Sequence, residues 1–221
     1  MTKLEHWFGG RPRLIMFDLD GTLVDSVADV AAAIDRMRVQ LDLPPPGVER
    51  VRHWVGRGAE ALLDRVMADQ AHDVALRRRA GELFAAAYAE AVHVHSRLFP
   101  GVDAALTEMS AWCPLACITN KPLRFTQPLL QALALQKYFA LVLAGDSLAE
   151  KKPHPLPLQH ALQHFSVTPT AALMIGDSRN DVEAARAAGV RCIALRGGYN
   201  HGQAIEDCHP DWVIDGFAEL L

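Results

Sequence analysis

Short apolar runs alternate with helical patterns along most of the chain. The continuous apolar run at residues 14–17 predicts a strand that is buried on both faces of a parallel sheet. Similar runs predict strands near residues 115–118, 141–144, 173–175 and 192–195, with helical stretches between them. Strands that alternate with helices indicate an α/β fold, and we expect a doubly wound, Rossmann-like parallel sheet.

The segment after the first predicted strand has a different pattern. Apolar residues at helical spacing follow Ser26, and we expect Ser26 and Asp29 to form a pair like a capping box where a helix begins. Helical patterns also cover residues 59–66 and 76–91, and no convincing strand pattern interrupts them. The predicted domains are therefore an α/β core of residues 1–24 and 98–221 and an all-helical insert of residues 25–97.

Composition narrows the class of protein. The chain has 221 residues, half of them apolar, so it can bury a sizeable core as an ordinary globular protein. The formal net charge of −4, with mixed signs, gives no broad basic surface, and we expect no nucleic-acid partner. The sequence contains no long apolar span, so we expect no membrane partner. The four cysteines form no CxxC pair, which predicts reduced thiols in a cytoplasmic protein. We expect the first ten residues to be a short polar lead-in to the first strand.

Polar residues follow the predicted strands. Asp18 and Asp20 follow the first strand, and their spacing of two predicts that both side chains project to the same side. Thr119, Asn120 and Lys121 follow the second strand, and the segment 176–181 follows the fourth. Asp-rich turns often do no more than end a strand, so the aspartate pair alone does not establish a site. Because ligands bind at the carboxyl ends of parallel strands, we expect these residues to converge on one crevice.

The residue types at this crevice favour phosphate chemistry. Asp18, Asp177 and Asp181 are hard oxygen donors of the kind that Mg²⁺ prefers. Thr119 can donate to a phosphoryl oxygen, and Lys152 supplies a positive charge to the same group. Like charges about 4 Å apart repel by about 4 kcal/mol at an effective dielectric constant near 20, so an aspartate needs both cations to approach a phosphate. One aspartate can then attack phosphorus, while a second protonates the leaving alkoxide and later activates water.

Four motifs carry a resemblance to a known family. They are Asp18-x-Asp20-Gly21-Thr22-Leu23-Val24, Thr119-Asn120, Lys152-Pro153-x-Pro155 and Gly176-Asp177-Ser178-x-x-Asp181. In type and order they resemble the motifs of the haloacid dehalogenase-like phosphatases. The helical insert resembles the cap of that family, which closes over the site and excludes water.

The resemblance assigns roles to these residues. It implies that Asp18 is the nucleophile and Asp20 the acid/base, with Thr119 and Lys152 acting beside them. It also implies that Mg²⁺ is held by Asp18, the backbone carbonyl of Asp20, and Asp177, with Asp181 in support. The residues expected to contact the substrate are Thr119, Asn120 and Lys152, together with Arg57 and Gly58 in a loop of the helical insert.

Two further stretches bear on the substrate. The stretch from Val55 to Gly58, followed by Leu62, and the stretch from Gly197 to Gly202 resemble those of phosphoglycolate phosphatases, a group within that family. This implies hydrolysis of a small acidic phosphate, 2-phosphoglycolate, to glycolate and phosphate. We expect a monomer or a homodimer. Two alternatives remain open. One is a phosphatase or phosphomutase for sugar phosphates, and the other is a phosphoaspartate signalling receiver, whose chain is usually shorter and lacks a cap.

Overall fold

The computed structural model describes residues 1–70 and 73–221. In chain order, its strands are β1 (Leu14–Phe17), β2 (Val24–Asp25), β3 (Arg97–Leu98), β4 (Leu115–Ile118), β5 (Phe139–Leu143), β6 (Ala172–Gly176), β7 (Arg191–Leu195) and β8 (Trp212–Ile214). Its α-helices are α1 (Lys3–Phe8), α2 (Val27–Val39), α3 (Val48–Arg52), α4 (Ala59–Val66), α5 (Val74–Glu90), α6 (Val102–Ser110), α7 (Leu123–Ala132), α8 (Leu156–Phe165) and α9 (Arg179–Ala188). None of the helices in these two ranges is long and apolar enough to cross a membrane.

The main sheet has six strands in the order β5-β4-β1-β6-β7-β8. All neighbouring strands in it are parallel. The chain builds the sheet outward from β1 in one direction through β4 and β5, and then returns to the other side of β1 through β6. This arrangement confirms the predicted doubly wound sheet and creates a switch point at the carboxyl end of β1, where such folds bind ligands.

The residues of β1 explain why the sequence shows a continuous apolar run there. Ile15 and Phe17 pack on one face of the sheet, in the cluster that includes residues of α6 and α7. Leu14 and Met16 pack on the other face, with residues of α8 and α9. A central strand with helices on both faces has no polar side, so it lacks the alternation of a half-exposed strand.

Two elements of the core were not expected from the sequence. The first residues form α1 rather than a polar lead-in, because Thr2 and Glu5 make a capping box and Leu4 is buried. Strand β8 pairs with β7 at the edge of the sheet. A strand of three residues is too short to show a periodicity in the sequence.

The helical insert comprises α2 to α5, between β1 and β4. The predicted helices at 59–66 and 76–91 appear as α4 and α5. The short strands β2 and β3 pair antiparallel, with Asp25 opposite Arg97, and connect the two segments that lead into and out of the insert. The sequence did not predict this ribbon, which lies at the predicted boundaries of the insert. The boundaries themselves stay a prediction.

The predicted capping pair at the start of α2 is wrong. Ser26 makes no side-chain capping bond, and its Oγ instead donates to Asp20 Oδ1 at 2.5 Å. The Asp29 carboxylate accepts hydrogen bonds from the backbone N–H of His95 and Ser96 and from the Ser96 hydroxyl. Both side chains are therefore used for contacts with residues outside α2, and the Asp29 contact connects α2 to the end of the insert.

Candidate active site

Three carboxylates meet where β1 and β6 end. Asp18 follows β1, Asp177 follows β6, and Asp181 lies in the first turn of α9. The pairing of Phe17 with Ile175 aligns the two strand ends. One oxygen of each carboxylate lies within 4.8 Å of one oxygen of the other two, and all three residues are buried. The structure therefore brings together the aspartates that the sequence analysis selected for a metal.

Burial and repulsion raise the pKa of two of these carboxyls. Burial raises the pKa of Asp18 to about 7; the Asp181 charge acts in the same direction, and Lys152 offsets only part of the effect. The pKa of Asp177 is raised well above its usual value, first by burial and then by the charges of Asp18 and Asp181. The protein alone does not stabilise three negative charges here, and a bound cation would.

The surroundings of Asp177 fit a divalent metal ion. Its Oδ1 accepts a hydrogen bond from Thr22 Oγ1 at 2.5 Å, and its Oδ2 accepts one from the Tyr199 N–H at 2.6 Å. A Cβ atom at Gly21 or at Gly198 would lie 2.3 Å from Asp177 Oδ2, so only glycine leaves room for the carboxylate. Clustered carboxylate oxygens with this much support suit a hard cation such as Mg²⁺.

Lys152 lies between Asp18 and Asp181. Its Nζ donates to the Ile118 carbonyl at 2.5 Å and to Asp181 Oδ1 at 2.6 Å, and it lies 2.9 Å from Asp18 Oδ1. Burial disfavours the ammonium, but the charges of Asp18 and Asp181 outweigh burial and raise the pKa of Lys152 above its usual value. Lys152 therefore keeps its charge beside Asp18, as its predicted role requires.

Asp181 is largely occupied by hydrogen bonds within the protein. Its Oδ2 accepts from the N–H of Asp177 at 3.2 Å and from the N–H and Oγ of Ser178 at 3.0 and 2.7 Å. Its Oδ1 accepts from Lys152. These bonds fix the loop between β6 and α9 and the position of the Lys152 ammonium. That Asp181 also supports a bound metal ion stays a prediction.

Asp18 and Asp20 line the same cavity, although not through strand alternation. Strand β1 ends at Phe17, so neither aspartate belongs to it. The chain turns at Gly21, whose φ is +89°, and Asp20 makes an isolated bridge with Val24. The turn, rather than the spacing of two residues in a strand, directs both side chains to one site.

Two cations accompany the two aspartates. Both oxygens of Asp20 accept hydrogen bonds from Lys121 Nζ, each at 2.9 Å, while Lys152 lies beside Asp18. The Lys121 Nζ also lies 4.9 Å from the centre of the Tyr88 ring. Burial opposes the charge of Lys121, but the Asp20 carboxylate outweighs it and raises the pKa of Lys121. Each aspartate therefore has its own buried ammonium.

Thr119 and Asn120 follow β4 and face this cavity. Thr119 Oγ1 accepts a hydrogen bond from the Lys121 N–H at 3.2 Å, which leaves the hydroxyl hydrogen available to another acceptor. Asn120 Nδ2 donates to the Lys152 carbonyl at 2.9 Å and to the Gly56 carbonyl at 3.1 Å. Asn120 therefore joins the core to the loop between α3 and α4 of the helical insert.

The cavity lies between the core and the helical insert and has a volume of about 50 Å³. One buried water needs about 10–15 Å³, so there is room for about four waters or a small part of a ligand. The two sides of the cavity differ in character. The core side is largely polar and includes Asp18, Asp20, Thr119, Asn120 and Lys121. The side of the insert is largely apolar and includes Val30, Val55, Leu62, Phe84 and Tyr88.

Gly58 and Arg57, the predicted substrate contacts of the insert, lie in different places. Gly58 lines the cavity with a φ of +86°, and a Cβ atom there would lie 3.0 Å from the Asn120 carbonyl oxygen. Arg57 is exposed and lines an outer groove with Glu60, Asp64 and other charged residues. The structure thus brings Gly58 to the cavity and leaves Arg57 outside its lining. Both substrate contacts stay predictions.

The sequence motifs assign no role to Lys121 or Tyr199, two residues of this region. Lys121 directly follows Asn120. Its position as a cation after the end of a predicted strand could have indicated a role at the site. Tyr199 gave no such signal, because its contacts are far away in sequence. Its hydroxyl donates to Asp25 and accepts from the N–H groups of Ser26 and Val27 at 3.0 and 3.2 Å. Since its N–H binds Asp177, Tyr199 links the carboxylate cluster to the start of the helical insert.

Comparison with known proteins identifies the family. A family model described as haloacid dehalogenase-like hydrolase matches residues 15–195. The chain is 48% identical over 227 residues to a phosphoglycolate phosphatase of Pseudomonas putida, with 100% of this chain and 83% of that protein covered. It is 46% identical to a phosphoglycolate phosphatase of Nitrosococcus oceani, with 95% of each covered. A solved structure from Haemophilus somnus, of a predicted phosphoglycolate phosphatase, has a TM-score of 0.90 and 37% identity, over 94% of this chain and 95% of that chain.

These matches extend over the core and the helical insert, and they confirm both the resemblance and the fold class inferred from the motifs. The matched region begins within β1 and ends with β7, so it includes all four motifs. The chain belongs to the haloacid dehalogenase-like hydrolases.

Proposed function

We propose that the protein is a Mg²⁺-dependent phosphomonoesterase that hydrolyses 2-phosphoglycolate to glycolate and phosphate. The observation that carries the proposal is the placement of Asp18 and Asp20 on one small cavity, each beside its own buried lysine. Two relatives, 48% and 46% identical, are phosphoglycolate phosphatases, and the matches cover 83% and 95% of their lengths, which supports the choice of substrate.

Asp18 and Asp20 carry the two chemical steps. A carboxylate oxygen of Asp18 forms a bond to phosphorus while the bond from phosphorus to the glycolate oxygen breaks, and protonated Asp20 gives its proton to that oxygen. Asp20 then accepts a proton from a water that attacks the aspartyl-phosphate. The bond from phosphorus to Asp18 breaks, and both aspartates return to their starting state.

The other core residues hold the phosphate. Lys152 places its charge beside Asp18, and Thr119 donates its hydroxyl hydrogen to a phosphoryl oxygen. Asp18, Asp177 and the backbone carbonyl of Asp20 would hold Mg²⁺, with Asp181 supporting them through Lys152 and the loop that follows β6. The ion supplies positive charge that offsets the phosphate and the carboxylates.

The helical insert excludes water and limits the size of the substrate. We propose that residues 25–97 act as a cap over the core, and the apolar side chains of Leu62, Phe84 and Tyr88 support this role. The small cavity between the two regions, about 50 Å³, supports a limit on the size of the substrate. Contacts of Asn120, Gly58 and Arg57 with the substrate belong to the same proposal, as do a cytoplasmic location and a monomeric or homodimeric state.

Phosphate release from a panel of small phosphates tests the proposal. We expect 2-phosphoglycolate to have the highest kcat/KM and activity to disappear when a chelator removes Mg²⁺. Asp18→Asn is the control for contaminating phosphatases. A higher kcat/KM for a sugar phosphate would favour the alternative enzyme. Full activity in chelator would contradict the metal requirement, and release of a single equivalent without turnover would favour a signalling receiver.

A further inference from the structure

Lys121 supplies a basic side chain to the wall of the cavity. Among the described residues that line it, only Lys121 is a lysine or arginine. Lys152 lies behind Asp18, where it serves the phosphate, and Arg57 lies in the outer groove. On the side of Asp20, a second negative group of the substrate meets Lys121.

Lys121 has unused capacity for an anion. Its ammonium has three hydrogens, and two of them point to Asp20, with both N···O distances at 2.9 Å. Its side chain is 5% exposed, so the Asp20 carboxylate rather than water compensates its charge, and one hydrogen remains for another acceptor. The Tyr88 ring lies 4.9 Å away and contributes a weaker contact with the cation.

The Tyr88 hydroxyl is a second group without a full set of partners. It is buried and makes no hydrogen bond of normal geometry with the described residues, although it lies near Lys121. Burial raises the pKa of Tyr88 to about 12, although Lys121 acts in the opposite direction, so the hydroxyl retains its hydrogen at neutral pH. A buried donor without an acceptor is destabilising, and a ligand oxygen would remove that cost.

We propose that Lys121 Nζ and the Tyr88 hydroxyl together bind the carboxylate of the substrate and thereby select acidic phosphates. In 2-phosphoglycolate the phosphorus, the bridging oxygen and the carboxylate follow one another along a short chain. Asp20 shares the cavity with Asp18 and is ion-paired with Lys121, so Lys121 lies next to the group that serves the bridging oxygen. The carboxylate thus reaches Lys121 when the bridging oxygen lies beside Asp20. This inference rests on the proposed function, because it takes 2-phosphoglycolate as the substrate.

The subsite is shared between the two regions of the molecule. Lys121 belongs to the core, after β4, whereas Tyr88 belongs to α5 of the helical insert. A carboxylate bound by both would contact the core and the insert at once. Substrates with a carboxylate would therefore contact both regions through that group, and phosphate esters without a carboxylate would not.

A competing role for Lys121 is to hold Asp20 in place. If that is its role, removal of the Lys121 ammonium would lower the rate of hydrolysis by the same factor for every substrate whose leaving group Asp20 must protonate. Ethyl phosphate separates the two roles, because it has the carbon skeleton of 2-phosphoglycolate with a methyl group where the carboxylate stands. The ratio of kcat/KM for the two substrates, measured on one variant, cancels any general damage to Asp20.

The experiment compares this ratio in wild type, Lys121→Met and Tyr88→Phe. We expect Lys121→Met to lower the preference for 2-phosphoglycolate by about 10- to 100-fold and Tyr88→Phe by about 3- to 10-fold, the scale of lost charged and neutral hydrogen bonds. Inhibition by glycolate should weaken in both variants, while inhibition by inorganic phosphate should not. Lys137→Met, a change at an exposed lysine of the core, is the matched control and should behave as wild type.

The outcomes separate this inference from the proposed function. A wild-type protein without a preference for 2-phosphoglycolate would overturn the proposed function. A wild-type preference that survives in Lys121→Met would overturn only the carboxylate subsite and leave Lys121 as a partner of Asp20. If circular dichroism shows that Lys121→Met does not fold, Tyr88→Phe decides, and an unchanged preference and glycolate affinity in it would overturn the subsite.

Discussion

The core and the helical insert contribute opposite kinds of surface to the same cavity. On the core side, Asp18, Thr119 and Lys121 follow the ends of strands and are held by hydrogen bonds or ion pairs. On the insert side, Leu62 and Phe84 come from helices and offer apolar contact. Ends of parallel strands converge at one edge, so polar groups collect there, whereas a helix packs through an apolar stripe. We therefore propose that the core carries the reacting groups, while the insert covers the cavity with apolar side chains.

The largest expected effect is that of Asp18→Asn in the core. Without the nucleophile no aspartyl-phosphate can form, so turnover should fall to the background. Intact-protein mass spectrometry after rapid mixing with p-nitrophenyl phosphate should show no added phosphoryl group. A phosphoryl adduct on this variant would mean that a residue other than Asp18 is the nucleophile.

The next effect is that of Asp20→Asn, which should slow hydrolysis of 2-phosphoglycolate by about 10² to 10⁴. The first step should suffer less with p-nitrophenyl phosphate, because its leaving group needs little protonation. Water attack still lacks its base, so phosphorylated protein should accumulate with the aryl ester and be detected by mass spectrometry. Full activity of this variant on 2-phosphoglycolate would remove Asp20 from the mechanism.

A change in the insert should act on stability rather than on the reaction. Phe84 is 3% exposed and packs against Tyr88 and against Phe125 of the core. Phe84→Ala should lower the free energy of unfolding by about 3–5 kcal/mol, and Phe84→Leu, the control, by clearly less. Denaturant unfolding measures both. Hydrolysis of p-nitrophenyl phosphate should continue in the folded fraction, and its loss there would contradict the separation of roles.

A smaller effect is expected for Arg57→Ala at the outer groove. An exposed cation outside the cavity lining attracts an anion weakly, so KM for 2-phosphoglycolate should rise by less than about fivefold, and less still at high salt. Steady-state kinetics at two salt concentrations tests this. A rise worth about 1.5–3 kcal/mol that salt does not reduce would show that Arg57 contacts the substrate directly, as the sequence suggested.

The smallest effect concerns His201, which connects a loop of the core to the insert. Its Nδ1 lies 3.0 Å from the His53 carbonyl and 3.2 Å from Arg65 Nη1. Burial, and then the charges of Arg65 and Arg57, lower the pKa of His201 below its usual value of 6.5, although the contact with the His53 carbonyl opposes them.

Because the unfolded chain then binds more protons than the folded one, stability should fall as the pH falls below 6.5 and be unaffected above it. Denaturant unfolding of wild type and His201→Gln at about pH 8 and about pH 5.5 measures the difference. Wild type should lose more stability than the variant, and parallel losses would exclude His201 as the cause.

The sequence predicted those parts of the structure that are determined by residues close together in the chain. Strand β1 was visible because both of its faces are buried, and Asp18 and Asp177 were visible because each follows such a strand. The predicted capping roles of Ser26 and Asp29 were wrong, because both side chains form hydrogen bonds with residues outside α2. The place of a loop residue such as Arg57 depends on how the insert packs, and spacing along the chain does not encode that.

The central position of β1 has a consequence for folding. This strand is made early, but its neighbours β4 and β6 begin only at Leu115 and Ala172. Before β4 and β6 pair with it, the apolar strand β1 has two unpaired edges, and such edges promote aggregation. Helices α2 and α5 contact each other at shorter sequence separation, so the insert can form sooner. Pulsed hydrogen exchange during refolding should show β1 and β6 gaining protection together. Because Asp18 follows β1 and Asp177 follows β6, the same event would bring these two carboxylates together.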